Sequence, residues 1–149
     1  MTEAQTSIRL ARASDLDAIK RLADAERPAL GFVRRPALAE SIARDEVLVA
    51  EQAGAVVGFV EYHQRRDGQV TLYHIAVTAE RRGEGVGRAL IDGLRTAATA
   101  AGATPIALKC PVDLPANAFY RACGFALREV AAGRARPLNV WTLPLPPPR

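Results

Sequence analysis

The residues most able to do chemistry lie in the run Tyr73–Leu90, YHIAVTAERRGEGVGRAL. A β-rich apolar segment leads through a short charged turn into Arg82, Gly83, Glu84, Gly85, Val86 and Gly87. Behind the glycines, Leu90, Ile91 and Leu94 recur at helical spacing, with Ala97 and Ala98 continuing the stripe. The pattern predicts strand, glycine loop, helix. Such a junction aims several backbone N–H groups and the positive end of a helix dipole at one point, which suits a phosphate. Gly83, Gly85 and Gly87 carry no Cβ, so a ligand can approach the main chain closely. A dinucleotide fingerprint would need glycine at Arg88 or at Leu90, and a Walker loop needs a GK[ST] triplet that the chain lacks. A plain strand–turn–helix junction is the alternative without chemistry.

A second stretch, LPANAFYRACGF over Leu114–Phe125, carries an amide, a tyrosine and a phenylalanine close together on a short helical segment that Gly124 stops. With R-x-x-G-x-G at Arg82–Gly87, it resembles the GNAT N-acetyltransferases. That family joins an acyl-CoA loop to a later helix reading roughly N-x-x-A-N-x-F-Y-x-x-x-G-F. The chain matches at Ala116, Asn117, Phe119, Tyr120, Gly124 and Phe125, and departs at Asp113, where the family has asparagine. One contact to the pantetheine arm or the helix N-terminus therefore differs.

The resemblance implies transfer of an acetyl group from acetyl-CoA to a primary amine by direct attack in a ternary complex. A thioester carbonyl under attack develops oxyanion character, which a backbone N–H can stabilise. The resemblance assigns Ile75 N–H to that carbonyl, and Ala76 and Val77 to the pantetheine. It assigns Arg82, Gly83, Glu84, Gly85, Val86, Gly87 and Arg88 to the cofactor's pyrophosphate, and turns Asn117 and Phe119 toward the cofactor. Tyr120 matches the family's proton donor to the leaving thiolate. Two alternatives stay open: Tyr120 as a half-buried core tyrosine, and Asn117 as a cap on its own helix turn.

A general base must also take a proton from the attacking ammonium. Thr71 stands where some family members carry a glutamate, leaving Glu61, His74 and Tyr73. A two-residue turn at Asp67–Gly68 would set Arg66 against Gln69 and, by counting back, Tyr62 against Tyr73 and Glu61 against His74. A carboxylate beside a histidine favours its charged form and orients its ring, as a proton relay requires. A purely structural cross-strand pair is the competing reading. Phe32 and Tyr73 are candidate walls for the acceptor, with Pro28–Arg35 and Arg134–Asn139 as the surrounding segments. The arginines there suit a carboxylate-bearing acceptor or plain solvated surface. Phe32 could equally belong to the core. A non-catalytic acyl-CoA-binding module is the main alternative function. A covalent enzyme using Cys110 is disfavoured, because nothing in the sequence places a histidine or helix N-terminus beside it.

The elements that must position these residues follow from periodicity. Ser7–Ala11 reads as a strand, and Ser14 as the cap of a helix whose face is Leu16, Ile19, Leu22 and Ala23. Pro28 interrupts that helix, a loop spans Gly31–Pro36, and a second helix covers 37–44. Strands follow at 46–52, 55–63 and 69–77, a helix at 85–100, a strand at 105–110, a helix at 114–122, and a hairpin of 125–130 with 138–143. With the resemblance, this order implies an α/β (α+β) GNAT fold. Its mixed, mostly antiparallel sheet has about seven strands, flanked by about four helices, with strands four and five splayed.

At 149 residues and 49% apolar composition, the chain suits one domain over 1–149, with a proline-rich tail at about 144–149. No apolar run approaches a membrane span, and the MTEAQTS start lacks a signal peptide, so a cytoplasmic location is expected. Cys110 and Cys123 are too few for a disulfide framework. The 20 Lys and Arg residues against 16 Asp and Glu give +4, but the arginines are scattered rather than gathered on a nucleic-acid-binding face. No nucleic acid, membrane or metal is expected as a partner, and a homodimer is left open.

Overall fold

The computed structural model describes residues 5–102 and 105–145. Its strands, β1 (Ser7–Leu10), β2 (Val47–Gln52), β3 (Ala55–Gln64), β4 (Val70–Val77), β5 (Ile106–Pro111), β6 (Ala126–Ala131) and β7 (Leu138–Leu143), form one mixed sheet. Their order is β1-β2-β3-β4-β5-β7-β6, as expected of this fold class. The helices are α1 (Leu16–Ala25), the single turn α2 (Arg27–Leu30), α3 (Arg35–Ala43), α4 (Val86–Ala100) and α5 (Ala116–Ala122). Among the described residues no helix is long and apolar enough to cross a membrane. Contacts divide the chain into two compact units, Met1–His63 with Tyr73–Leu94, and Gln64–Leu72 with Arg95–Arg149.

In the first unit β2 and β3 are buried almost throughout, because helices cover both faces of the sheet. On one face Ile19, Ala23, Leu38 and Ile42 of α1 and α3 close over Val47, Val49, Phe59 and Ala76. On the other, α4 lies directly on the strands. A Cβ on Gly58 of β3 would sit 3.0 Å from Ala76 O, 3.1 Å from Leu90 and 3.3 Å from Val86. Gly58 therefore lets the first turn of α4 press onto the sheet, and so places the loop that precedes it. Val86, Leu90, Ile91, Leu94 and Ala98 form the buried stripe, while Ala97 is only half-buried.

Entry into α1 departs from expectation. Asp15, not Ser14, stands at its N-cap, without a side-chain cap bond; its carboxylate closes the preceding 3-10 turn Ala13–Asp15 instead, Oδ2 accepting Arg12 N–H at 2.7 Å and Arg9 Nη1 at 2.8 Å. The Arg9 contact holds the Asp15 carboxyl below the usual carboxylate range. Both Pro28 and Pro36 start helical turns rather than ending them, since a proline in the first turn loses no helical hydrogen bond. The first proline thus opens α2 where only an interruption of the helix was expected, and the expected loop at Gly31–Pro36 ends early because α3 begins at Arg35.

In the second unit the β4–β5 ladder is parallel and two pairs long, Val70 with Ile106 and Thr71 with Ala107. Antiparallel pairing of β5 with β7 runs from Ile106↔Leu143 to Pro111↔Leu138. β6 lies at the edge, with a bulge between Leu127 and Glu129. Of the expected tail, Pro144 is exposed but Leu145 is buried, and 146–149 lie outside the described residues.

Candidate active site

The glycine loop is open backbone. Gly83 and Gly85 adopt φ of 81° and 84°, and nothing lies within 4 Å of where a Cβ on either would stand. Ala89 N–H donates to Gly85 O at 3.0 Å, the first bond entering α4. The N–H groups of Gly85, Val86 and Gly87 precede it, at the positions where a helix has no carbonyl of its own to offer. N–H groups in such positions are able to receive an anion. Around them the charges pair locally: Thr78 Oγ1 donates to Glu80 at 2.6 Å, and Arg81 approaches Glu84 at 3.7 Å. Arg82 instead pairs with Glu26, at the junction of α1 and α2. Glu26 and Arg82 both border a cavity of about 570 Å³ beside the loop.

The hairpin leading to the loop closes one residue away from the counted register. Arg65 N–H donates to Gln69 O at 2.8 Å and Gly68 N–H to Arg65 O at 3.1 Å, so Arg65, not Arg66, faces Gln69. Farther along, Thr78 N–H donates to Val57 O at 2.8 Å, which restores the counted register. A bulge between absorbs the slip. Glu61 does stand against His74, its Oε1 2.6 Å from Nδ1. The same Thr78–Val57 bond fixes the alternation of the ladder, and turns the N–H groups of Ile75 and Val77 away from β3.

Glu61 is buried, and its second oxygen accepts Ser41 Oγ from α3 at 2.7 Å. A carboxylate on Nδ1 orients the ring and leaves Nε2 as the nitrogen that can accept a proton. His74 is 27% exposed at its side chain, so solvent or substrate can reach it. A second pair stands beside it: His63 Nδ1 lies 2.9 Å from Glu46, and the His63 ring stacks on Tyr73 at 6.3 Å. Tyr73 is exposed. Phe32 is 64% exposed, not core, with Lys20 Nζ 4.7 Å and Arg27 Cζ 5.0 Å from its ring centroid.

In the second unit Tyr120 is buried, edge-on to Phe119 and Phe125. Among the described residues its hydroxyl makes no hydrogen bond. Burial, with the nearby thiols of Cys110 and Cys123, pushes its ionisation well above the ordinary tyrosine value. It stays protonated at any physiological pH. Asn117, one turn earlier, is spent on the protein itself. Its Nδ2 donates to Pro111 O at 2.9 Å and Leu114 O at 2.8 Å, and its Oδ1 accepts Trp141 Nε1 at 2.9 Å and Asn139 Nδ2 at 3.0 Å. These bonds tie Asn117 to the chain ahead of α5 and to β7, and among the described residues its side chain bonds no backbone N–H of α5. Asp113, the departure from the motif, takes both oxygens to Arg136 at 3.1 and 2.9 Å. Burial raises the Cys110 thiol, so the nucleophilic thiolate is disfavoured there.

Sequence reasoning missed Ser41, Glu26 and the Glu46–His63 pair. Ser41 sits on a helix and Glu26 at the junction of two, where the spacing shows only apolar faces. His63 carries no local signal except alternation with Glu61 on β3.

The model of the acetyltransferase (GNAT) family matches residues 16–125. No curated protein matches the sequence. Among solved structures, Ard1 from Thermoplasma volcanium is 19% identical with a TM-score of 0.83, covering 94% of this chain and 97% of that one. The yncA protein of Salmonella typhimurium, solved with its cofactor acetyl-CoA, is 20% identical with a TM-score of 0.79, over 95% and 94%. The ribosomal-protein-alanine N-acetyltransferase of Brucella melitensis is 26% identical with a TM-score of 0.77, over 93% and 99%.

Proposed function

Because the chain belongs to the acetyltransferase (GNAT) family, we propose that it transfers an acetyl group from acetyl-CoA to a primary amine by direct attack. The observation that carries this reading is the loop: exposed glycines at positive φ, directly ahead of the first turn of α4. That arrangement receives a pyrophosphate on backbone N–H groups. The residues fit the cofactor's chemistry elsewhere too. Ile75 offers an N–H turned away from β3 for the thioester oxygen, with Ala76 and Val77 continuing the same strand.

In this reading the amine nitrogen attacks the thioester carbon, the C–N bond forms, and the C–S bond breaks to leave a thiolate. Starting from the ammonium, the nitrogen gives up two protons, one before attack and one as the amide forms, and the thiolate takes up one, so one proton is released overall. Tyr120 serves the thiolate end. Because burial keeps its hydroxyl protonated, it donates a hydrogen bond to the sulfur as negative charge develops. His74, oriented by Glu61 and through it by Ser41, receives the proton from the amine. The buried Cys110 thiol does not enter the path.

The test is thiol release from acetyl-CoA against a panel of amines, polyamines, amino acids, aminoglycosides and peptide N-termini. Amine-dependent release supports a transferase. Binding of acetyl-CoA with no release, whichever acceptor is offered, supports the non-catalytic module instead.

A further inference from the structure

We propose that Glu26 sets the affinity for acetyl-CoA by competing with the cofactor's diphosphate for Arg82. The inference rests on reading Arg82–Gly87 as the diphosphate site.

Arg82 opens the glycine loop, and its Nη2 donates to Glu26 Oε1. The other charges of the turn find partners within three residues, Glu80 at Thr78 and Arg81 at Glu84. Arg82 alone in that turn reaches to a distant part of the chain, fifty-six positions back. The Glu26 end is anchored. Its N–H donates to Leu22 O and Ala23 O at 3.2 Å each, and its carbonyl accepts Ala29 N–H at 3.0 Å and Leu30 N–H at 2.9 Å. The carboxylate therefore projects from a fixed junction between α1 and α2, and the flexible partner is the arginine.

The setting supplies the second observation. Glu26 and Arg82 border the same cavity of about 570 Å³, and its other charged lining residues are Arg21 and Glu80. Two cations are balanced by two anions there, so without Arg82 the wall would carry a net negative charge. A diphosphate arriving at the loop meets an arginine already neutralised and a carboxylate that repels it. Glu26 opposes binding in both ways. The pair is partly exposed, at 54% for Arg82 and 24% for Glu26, so water and salt screen the effect to a modest size.

Calorimetric titration of acetyl-CoA into wild type, Glu26→Gln, Arg82→Ala and the double variant tests this. Glu26→Gln should bind about two- to fivefold more tightly than wild type, and the gain should shrink as salt is added. Arg82→Ala should bind more weakly, and on that background the gain from Glu26→Gln should fall, because the two residues act through one ion pair. Unchanged or weaker binding by Glu26→Gln overturns the proposal and makes Glu26 an aligning partner or a bystander. An equal gain with and without Arg82 also overturns it, since competition for the arginine would then play no part. Wild type failing to bind acetyl-CoA at all is a different failure, which removes the loop reading itself and this proposal with it.

Discussion

In the proposed reading, the loop before α4 and the helix α5 meet the cofactor by opposite means. At Arg82–Gly87 the chain offers its backbone: exposed glycines, left-handed φ and empty space where side chains would be. At Asn117–Tyr120 it offers a side chain held in a saturated frame. Asn117 alone ties the end of β5, the start of α5 and two residues of β7 together through four close hydrogen bonds. The difference follows from what each contact must do. Gripping a phosphate takes several N–H groups at once, and any Cβ there would obstruct it. Serving a thiolate takes one hydroxyl, whose position must be set by its neighbours.

The comparison breaks most sharply at Tyr120. Tyr120→Phe keeps the ring contacts with Phe119 and Phe125 and removes only the hydroxyl. Turnover should fall by roughly 10²–10⁴-fold with acetyl-CoA affinity unchanged. A rate close to wild type at saturating substrates would make the tyrosine structural. Because burial raises its ionisation, the wild-type kcat should also show no alkaline limb through ordinary tyrosine titration, near pH 10. A fall in kcat there that Tyr120→Phe abolishes would contradict that.

Asn117→Ala should act on stability before it acts on binding. It leaves Trp141 Nε1 and Asn139 Nδ2 without their acceptor, at a cost of about 2–4 kcal/mol, read as a lowered Tm. Loss of acetyl-CoA affinity with Tm unchanged would mean that the amide serves the cofactor after all. The smallest and most diagnostic effect concerns the first unit's own side-chain device. His74→Gln should lower kcat/KM while leaving Tm nearly unchanged, since glutamine fills similar space but takes up no proton there. If His74→Gln and Glu61→Gln both lower Tm while kcat/KM of the folded enzyme holds, the pair is structural.

What was legible in the sequence follows the same division. The loop could be read because its determinants are local: glycine spacing, an apolar strand before it and a helical stripe behind it. The Glu61–His74 contact was also countable, although the turn was not two residues long. Nothing local in Gly68 and its neighbours announces the bulge that restored the register. The frame around Asn117 was not legible, since Trp141 and Asn139 approach it only through the β5–β7 pairing. The Ser41–Glu61 bond was hidden in the same way, as was Glu26 at Arg82, because one joins a helix to a distant strand and the other a helix junction to a distant turn. The approach to α1 shows the same rule: Ser14 has the right local chemistry for a cap, but a 3-10 turn closed by Asp15, itself held by Arg9 of β1, takes in that position.

One measurement tests the account most directly: calorimetric titration of acetyl-CoA into wild type, Gly85→Asp and Tyr120→Phe. Gly85 faces open space, so aspartate there costs the fold only its left-handed φ, about 1–2 kcal/mol. It sets both bulk and negative charge where the pyrophosphate must lie. The account predicts that wild type and Tyr120→Phe bind alike while Gly85→Asp, still folded, shows no binding. Undiminished affinity in Gly85→Asp would contradict it, because the open backbone of the loop would then not be what holds the cofactor.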